Sequence, residues 1–326
     1  MSDIKGIEIH DVLGLSQPLT KLVETIDHAI GKYYEPIGVK RMAKAKAVEF
    51  QTISEAINNN INLPSVYSAG DITIDTQNYD ELIKRASSRL LFQEVRKQQN
   101  IEAIVDIAYS ELEKEQSVTV EPVDLDWTIR FFNSVEDVSN EDMQKLWGKV
   151  LAGEIKQPRS FSLRTLEKIK NLSQYEAELF QELSNYCFYG IGGGIMLPYF
   201  RESNNKFNYS NIMRMQDCGL INDSLGIVYD KNDNDSEIFI HNKSIVVCIQ
   251  PTNIEIKPTV HPLTDAGVEL FKIIDKTHDD GYFLNYIKNF RSKGRRADIS
   301  AHKILSIIED GIEYSKVDEL TLEDDF

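Results

Sequence analysis

The stretch NEDMQKLWGKVLAGEIKQPRSFSLRTLEKIKNLS, residues 140–173, has less freedom in how it can fold than any other part of this chain. Met143, Leu146, Trp147, Val150, Leu151 and Ile155 recur at helical steps, so a helix places all six on one side. Ser139 stands three residues before Asp142, which predicts a capping box, and Gly153 with Pro158 marks the exit. Leu163, Leu166 and Ile169 begin a short helix, and Ser173 with Glu176 forms a second capping box that opens a helix over YEAELFQELSNY. Just upstream, DLDWTIRFFNSVEDV adds Trp127, Phe131, Phe132 and Val135 to the same core, because aromatics at this spacing fill interiors more often than they line a ligand box.

The N-terminal third reads as helical. Leu19, Leu22, Val23, Ile26, Ile30 and Tyr33 make one buried stripe, with Ser16 and Pro18 as starting signals. Pro36 interrupts it, and VKRMAKAKAVEFQTISEAI restarts a helix that runs to about Asn60. The Asn-, Pro- and Gly-bearing segment NNNINLPSVYSAGDITIDTQN reads as a long loop. A second long helix follows from about Tyr79 to Glu115, with Ile101, Ile104, Val105, Ala108 and Leu112 on one face. Two long helices joined by a loop predict a helical hairpin or an oligomerising arm. Their basic runs, Lys40 to Lys46 and Lys84 to Lys97, are interleaved with Glu and Gln in the manner of solvated helix surface, with contact to a polyanion as the alternative.

Beyond residue 188 the pattern changes. FNYSNIMRMQDCGLI reads as a short helix ending at Gly219, followed by the apolar segments LGIVYD, EIFIHN, SIVVCIQP and IEIKPTVHPL and then the helix LTDAGVELFKII. That order, with YEAELFQELSNY as first helix, predicts a winged-helix-like domain. The candidate recognition helix offers Arg214 as its cation, and the candidate wing DKNDNDSE carries Asp230, Asp233, Asp235 and Glu237. Acidic side chains there would meet phosphates, so a protein-binding or structural module is expected rather than a DNA reader. After Thr277, helix signals at Phe283, Ile287 and Phe290 and at Ile304, Leu305, Ile308 and Ile312 predict a helical tail. Lys288, Arg291, Lys293, Arg295 and Arg296 form the densest basic cluster of the chain, a candidate contact for nucleic acid or for the acidic end DELTLEDDF.

Charge and motif content narrow the function. The net charge of -16, from 36 basic and 52 acidic residues, repels phosphates and anionic lipid. Three widely spaced cysteines fit reduced thiols, and no leader or membrane-spanning run stands out, so a cytoplasmic location is expected. GIGGGI, residues 190–195, lacks the G-x-G-x-x-G spacing of a dinucleotide site and reads as a tight connection. The calcium-like start at Asp230, Asn232 and Asn234 fails at its sixth position, Asp235, and its twelfth, His241. The six histidines show no zinc-type pairing, although His241 and His261 can be drawn together across strands. No catalytic, cofactor-binding or metal-binding set is therefore expected. Arg159 and Arg164 remain as candidate anion contacts at a helix start, with a structural role for Arg164 as the alternative.

DWTIRFFNSVEDVSNEDMQKLWGKVLAGEIKQPRSFSLRTLEKIKNLSQYEAELF, residues 126–180, resembles the signature of the bacterial family called domain of unknown function 2806. That signature pairs an aromatic helix with Gln-x-Leu-Trp-x-Lys-x-Leu-Ala-Gly-Glu, here Gln144 to Glu154, and a Ser-x-Arg-Thr turn, here Ser162 to Thr165. LGLSQPLTKLVETIDHAIGKYYEP, QDCGLI and LTDAGVELFKII extend the likeness. The resemblance implies a bacterial protein and carries over no catalytic residue. More distantly, the Leu-Trp-x-x-x-Leu-Ala helix is similar to one in an abortive-infection family, which implies a role in phage defence.

The resulting expectation is an α+β, predominantly α fold. It has a helical hairpin or oligomerisation region at 1–116, a compact helical domain at 117–188, a winged-helix-like domain at 189–276 and a helical tail at 277–326. The expected function is a non-enzymatic sensor or adaptor acting as a homo-oligomer or through a protein partner. The rivals are a nucleic-acid-binding regulator and a membrane-acting toxin using the N-terminal amphipathic helix.

Overall fold

A computed structural model of the chain describes residues 16–30, 66–68, 71–73, 76–190, 194–198, 208–223, 225–226, 238–250, 259–292, 298–308 and 311–319. The fold is α+β, and it divides into two compact units, residues 1–159 and 160–326, a coarser division than the four stretches read from the sequence.

The first unit is built on helices α1 (Gln17–Ile30), α2 (Thr76–Leu112), α3 (Leu125–Val135) and α4 (Glu141–Lys156). Most of its core is the one the periodicities predict, while Val23, Ile30, Ile101 and Leu146 of those stripes are only partly buried. Leu19, Leu22 and Ile26 of α1, Ile104, Val105, Ala108 and Leu112 of α2, and Trp127, Phe131 and Phe132 of α3 are buried with Trp147, Val150, Leu151 and Ile155 of α4. Phe131 is the hub, stacked on Trp127 at 5.2 Å and edge-on to Trp147 at 5.5 Å. Gly148 lets α2 and α4 approach closely, since a Cβ there would run into the Ile107 side chain. The cap of α4 is one residue later than expected. Asn140, not Ser139, directly precedes the helix in extended backbone, and its side-chain oxygen accepts the free N–H groups of both Asp142 and Met143. The expected loop before α2 also contains strands β1 (Val66–Ser68) and β2 (Asp71–Thr73), paired antiparallel around an Ala-Gly link. The helix expected over 39–60 lies outside the described residues.

The second unit opens with α5 (Leu163–Lys170) and α6 (Gln174–Ser184), the latter started by the complete Ser173–Glu176 capping box. Strands β3 (Phe188–Tyr189), β4 (Ile195–Pro198), β5 (Leu225–Gly226), β6 (Ile238–His241), β7 (Ile245–Gln250), β8 (Thr259–Pro262), β9 (Asp298–Ile308) and β10 (Gly311–Glu319) form one antiparallel sheet. Its order is β10-β9-β7-β6-β3-β4-β8-β5. Helices α7 (Tyr209–Asp217), α8 (Asp265–Ile273) and α9 (Asp280–Ser292) complete the unit. Gly219, at φ 69°, closes α7 with Leu220 N–H on Met215 O and Gly219 N–H on Gln216 O, a left-handed cap that glycine adopts without strain. Phe283, Tyr286 and Ile287 of α9 bury the row Ile240, Val247, Ile249, Ile299 and Ala301.

Two expectations are corrected here. Among its described residues the tail is helical only over α9. Ile304, Leu305, Ile308 and Ile312, read as a helix, lie on β9 and β10, because Ile299 and Ala301 alternate inward at the two-residue strand period and belong to the sheet core. His241 and His261 do not meet, since β3 and β4 separate β6 from β8.

Candidate functional site

Of the charged residues singled out from the sequence, Arg159 and Arg214 are engaged in local structure. Arg159, at φ 69°, gives its backbone N–H to the buried Glu154 carboxylate at 2.6 Å and its guanidinium to Glu121 at 2.9 Å. Arg164 is exposed in the first turn of α5, with no ion pair among the described residues. Arg214 lies 4.0 Å from Glu176 and its guanidinium sits over the Tyr175 ring at 5.2 Å. Glu176 is the centre of that cluster: the Ser173 N–H and hydroxyl, at 2.8 and 2.7 Å, hold its carboxyl below the usual range, with Cys218 and Arg214 adding to the effect. The candidate recognition helix is thus tethered by its only cation to the start of α6. Lys288 is half-buried on α9 and Arg291 lies near the end of the same helix, while Lys293, Arg295, Arg296 and the acidic wing 230–237 lie outside the described residues.

Reactive groups are equally quiet. Burial pushes the Cys187 thiol well above its ordinary range, and burial with the adjacent Glu176 carboxylate pushes Cys218 up to about 11, so neither is a ready nucleophile. Among the described residues no group of three or more His, Cys, Asp or Glu is placed to hold a metal ion, and no helix is long and apolar enough to cross a membrane. The first unit has a groove of about 160 Å³ between α1 and the chain around Val120 to Thr128, lined by Lys21, Glu24, His28 and Val123. Small-molecule sites usually hold roughly 300–1,000 Å³. Lys21 is already committed to the carbonyls of Thr119 and Ile155, at 2.9 and 2.8 Å.

A run of exposed apolar side chains lies on α2. From Lys97 onward the helix is docked: Lys97 pairs with Glu136 at 2.7 Å, and Asn100 donates to the Glu136 carbonyl at 2.8 Å. Before Lys97 most of its described side chains are exposed. Leu82, Leu90, Leu91, Phe92 and Val95 are all exposed, Leu90 by 52% and Phe92 by 63%. Ile83 and Leu90 lie at seven-residue steps from the buried Ile104, so the core-facing side of α2 runs on into solvent. Leu90, Leu91 and Phe92 are consecutive and point about 100° apart, which spreads the apolar surface beyond one face.

A second constellation escaped the sequence reading because its members are far apart in the chain. The His241 ring stacks on Tyr189 at 4.8 Å and 10°, with the Lys243 ammonium 5.9 Å from the same ring. Lys276 lies over Phe271 at 4.1 Å, and His278 packs beside that ring at 6.3 Å. Burial comes first in lowering the pKa of both histidines. His278 and Lys243 then act on His241, and Lys276 and Lys243 on His278. Alternating apolar and polar residues place Tyr189 and His241 in register on neighbouring strands, which is the only part of the cluster that a strand pairing could have suggested.

No curated protein and no solved structure matches the chain. Residues 84–190, about a third of the 326, match the family model described as "Protein of unknown function (DUF2806)", and over that length the chain is similar to that family.

Proposed function

We propose that this chain is a non-enzymatic sensor or adaptor of the bacterial cytoplasm that works by self-association through α2, in anti-phage defence. The observation that carries the reading is the exposed length of α2 between Leu82 and Val95, which continues a buried helix face and adds apolar side chains beyond it. A helix with that much apolar surface on several sides fits a bundle with neighbours on more than one side, and second copies of the chain supply them by symmetry. The winged-helix-like order of α6, α7, the strands and α8 serves as a protein-contact or structural module, a reading supported by the tie between Arg214 and Glu176. The defence role rests on the likeness of the Trp147 helix to one in abortive-infection proteins. Light scattering at micromolar concentration tests the self-association. The expected result is a dimer or larger species, converted to monomer by Leu90→Asp with Leu91→Asp. A wild-type chain that stays at 37.3 kDa overturns the reading.

A further inference from the structure

The cluster around Tyr189 joins three separate pieces of the second unit. Asn242, in the turn after β6, donates to the Asp280 carboxylate at 2.8 Å, which fastens that turn to the first residue of α9. The connector before α9 is fastened to the end of α6: Thr277 N–H donates to Asn185 Oδ1 at 2.8 Å and Asp279 N–H to Asn185 O at 2.9 Å. Between these ties sit His241 and His278. His241 Nδ1 lies 3.3 Å from the Lys243 backbone nitrogen and accepts its N–H, so the neutral ring carries its proton on Nε2. His278 is hydrogen-bonded to the Cys187 backbone, and its Nδ1 is buried with no hydrogen-bond partner.

We propose that the turn after β6 and the connector 274–280 form a proton-operated latch, closed while His241 and His278 are neutral, whose protonation frees the N-terminal end of α9 from the sheet. The geometry gives the reason. A second proton on His241 must go to Nδ1, where it faces the Lys243 N–H instead of accepting it. A second proton on His278 adds a charge whose buried Nδ1 side has no acceptor to receive it. The surroundings compensate only in part: the Cys187 backbone and Asp280 favour a charged His278, but burial, Lys276 and Lys243 outweigh them. From the β6–β7 turn comes Lys243, from the connector Lys276, from β3 the Tyr189 ring, from just before β3 the buried Cys187, and from the start of α9 Tyr282. The nearby carboxylates are engaged, Asp280 with Asn242 and Asp279 with the Tyr282 N–H. Both histidines therefore bind protons more weakly closed than open, and linkage works one way: the closed form is favoured above the ordinary histidine pKa of about 6.5 and loses ground as pH falls below it. Opening would bare Phe283, Tyr286 and Ile287 and the sheet row they cover. The latch lies wholly in the second unit and does not depend on self-association through α2.

Hydrogen exchange of the full chain, read by mass spectrometry over residues 280–288 and corrected for intrinsic exchange, tests this. With two protons taken up, the opening equilibrium rises by up to about a hundredfold per pH unit, so protection at pH 5.5 should fall at least about tenfold below that at pH 7.5. His241→Gln with His278→Gln should hold protection level over the same range. Unchanged protection in the wild type down to pH 5, or the same pH-dependent loss in the double variant, overturns the latch. Should the variant not fold, an NMR titration of the wild-type histidine Cε1–H signals decides: both titrating below about 6.5 supports it, and either titrating at or above that value refutes it.

Discussion

Trp147 shows how far a single residue was readable. Its position in the apolar series predicts burial, and the structure leaves it 0% exposed against Phe131. Replacing it with alanine removes the largest fully buried side chain of the first unit, so Trp147→Ala should cost about 3–5 kcal/mol through lost burial and the cavity left behind. A thermal melt unchanged by the substitution would mean that the indole contributes nothing to the core. The Ser173–Glu176 pair was equally legible, because a capping box is a purely local arrangement. What Glu176 does beyond its own helix was not: its contacts with Arg214 and Cys218 span some forty residues, a separation no spacing rule encodes. The pairing of His241 with His278, rather than with His261, was missed for the same reason.

At the scale of elements, helices with clear periodicity came through, and so did the apolar segments that hold β5 to β8, whereas the long strands β9 and β10 did not. The 37 residues of α2 run close to their expected bounds, since a helix is set by neighbours three and four places away. The residues of β9 and β10 were read as helix because Ile304, Leu305, Ile308 and Ile312 satisfy a helical step, whereas the pairing with β7 that fixes them as strands is non-local. Close packing of elements gives a direct test. In Gly148→Ala the new methyl would meet Ile107 and crowd the Ile104 carbonyl, so α2 and α4 must move apart. Despite the better helix propensity of alanine, the variant should be less stable by about 1–3 kcal/mol, the usual range for an overpacked interior, as read by chemical denaturation. An unchanged or raised midpoint would show that the two helices tolerate separation.

For the whole molecule, net charge decides more than any motif. A chain at -16 whose Arg214 is held by Glu176 and Tyr175 should bind duplex DNA no tighter than the ~10⁻⁴–10⁻⁶ M of non-specific association at physiological salt. Fluorescence anisotropy with mixed genomic fragments at two salt concentrations measures this. Submicromolar, sequence-selective binding abolished by Arg214→Ala would make the chain a nucleic-acid regulator, and weak binding lost only on neutralising Arg295 and Arg296 would confine any polyanion contact to that cluster. By itself the sequence determined the helices from α2 through α6, their two-sided character, most of the helical core of the first unit and the likeness of residues 84–190 to the DUF2806 family model, because each follows from residues within a few turns of one another. The order of the eight strands, the covering of their inner face by α9, the commitment of Arg159 and Arg214 to carboxylates and the meeting of His241 with His278 were decided by tertiary structure alone. Each depends on a contact whose partners are distant in sequence, and its free energy exists only once the chain has closed the loop between them.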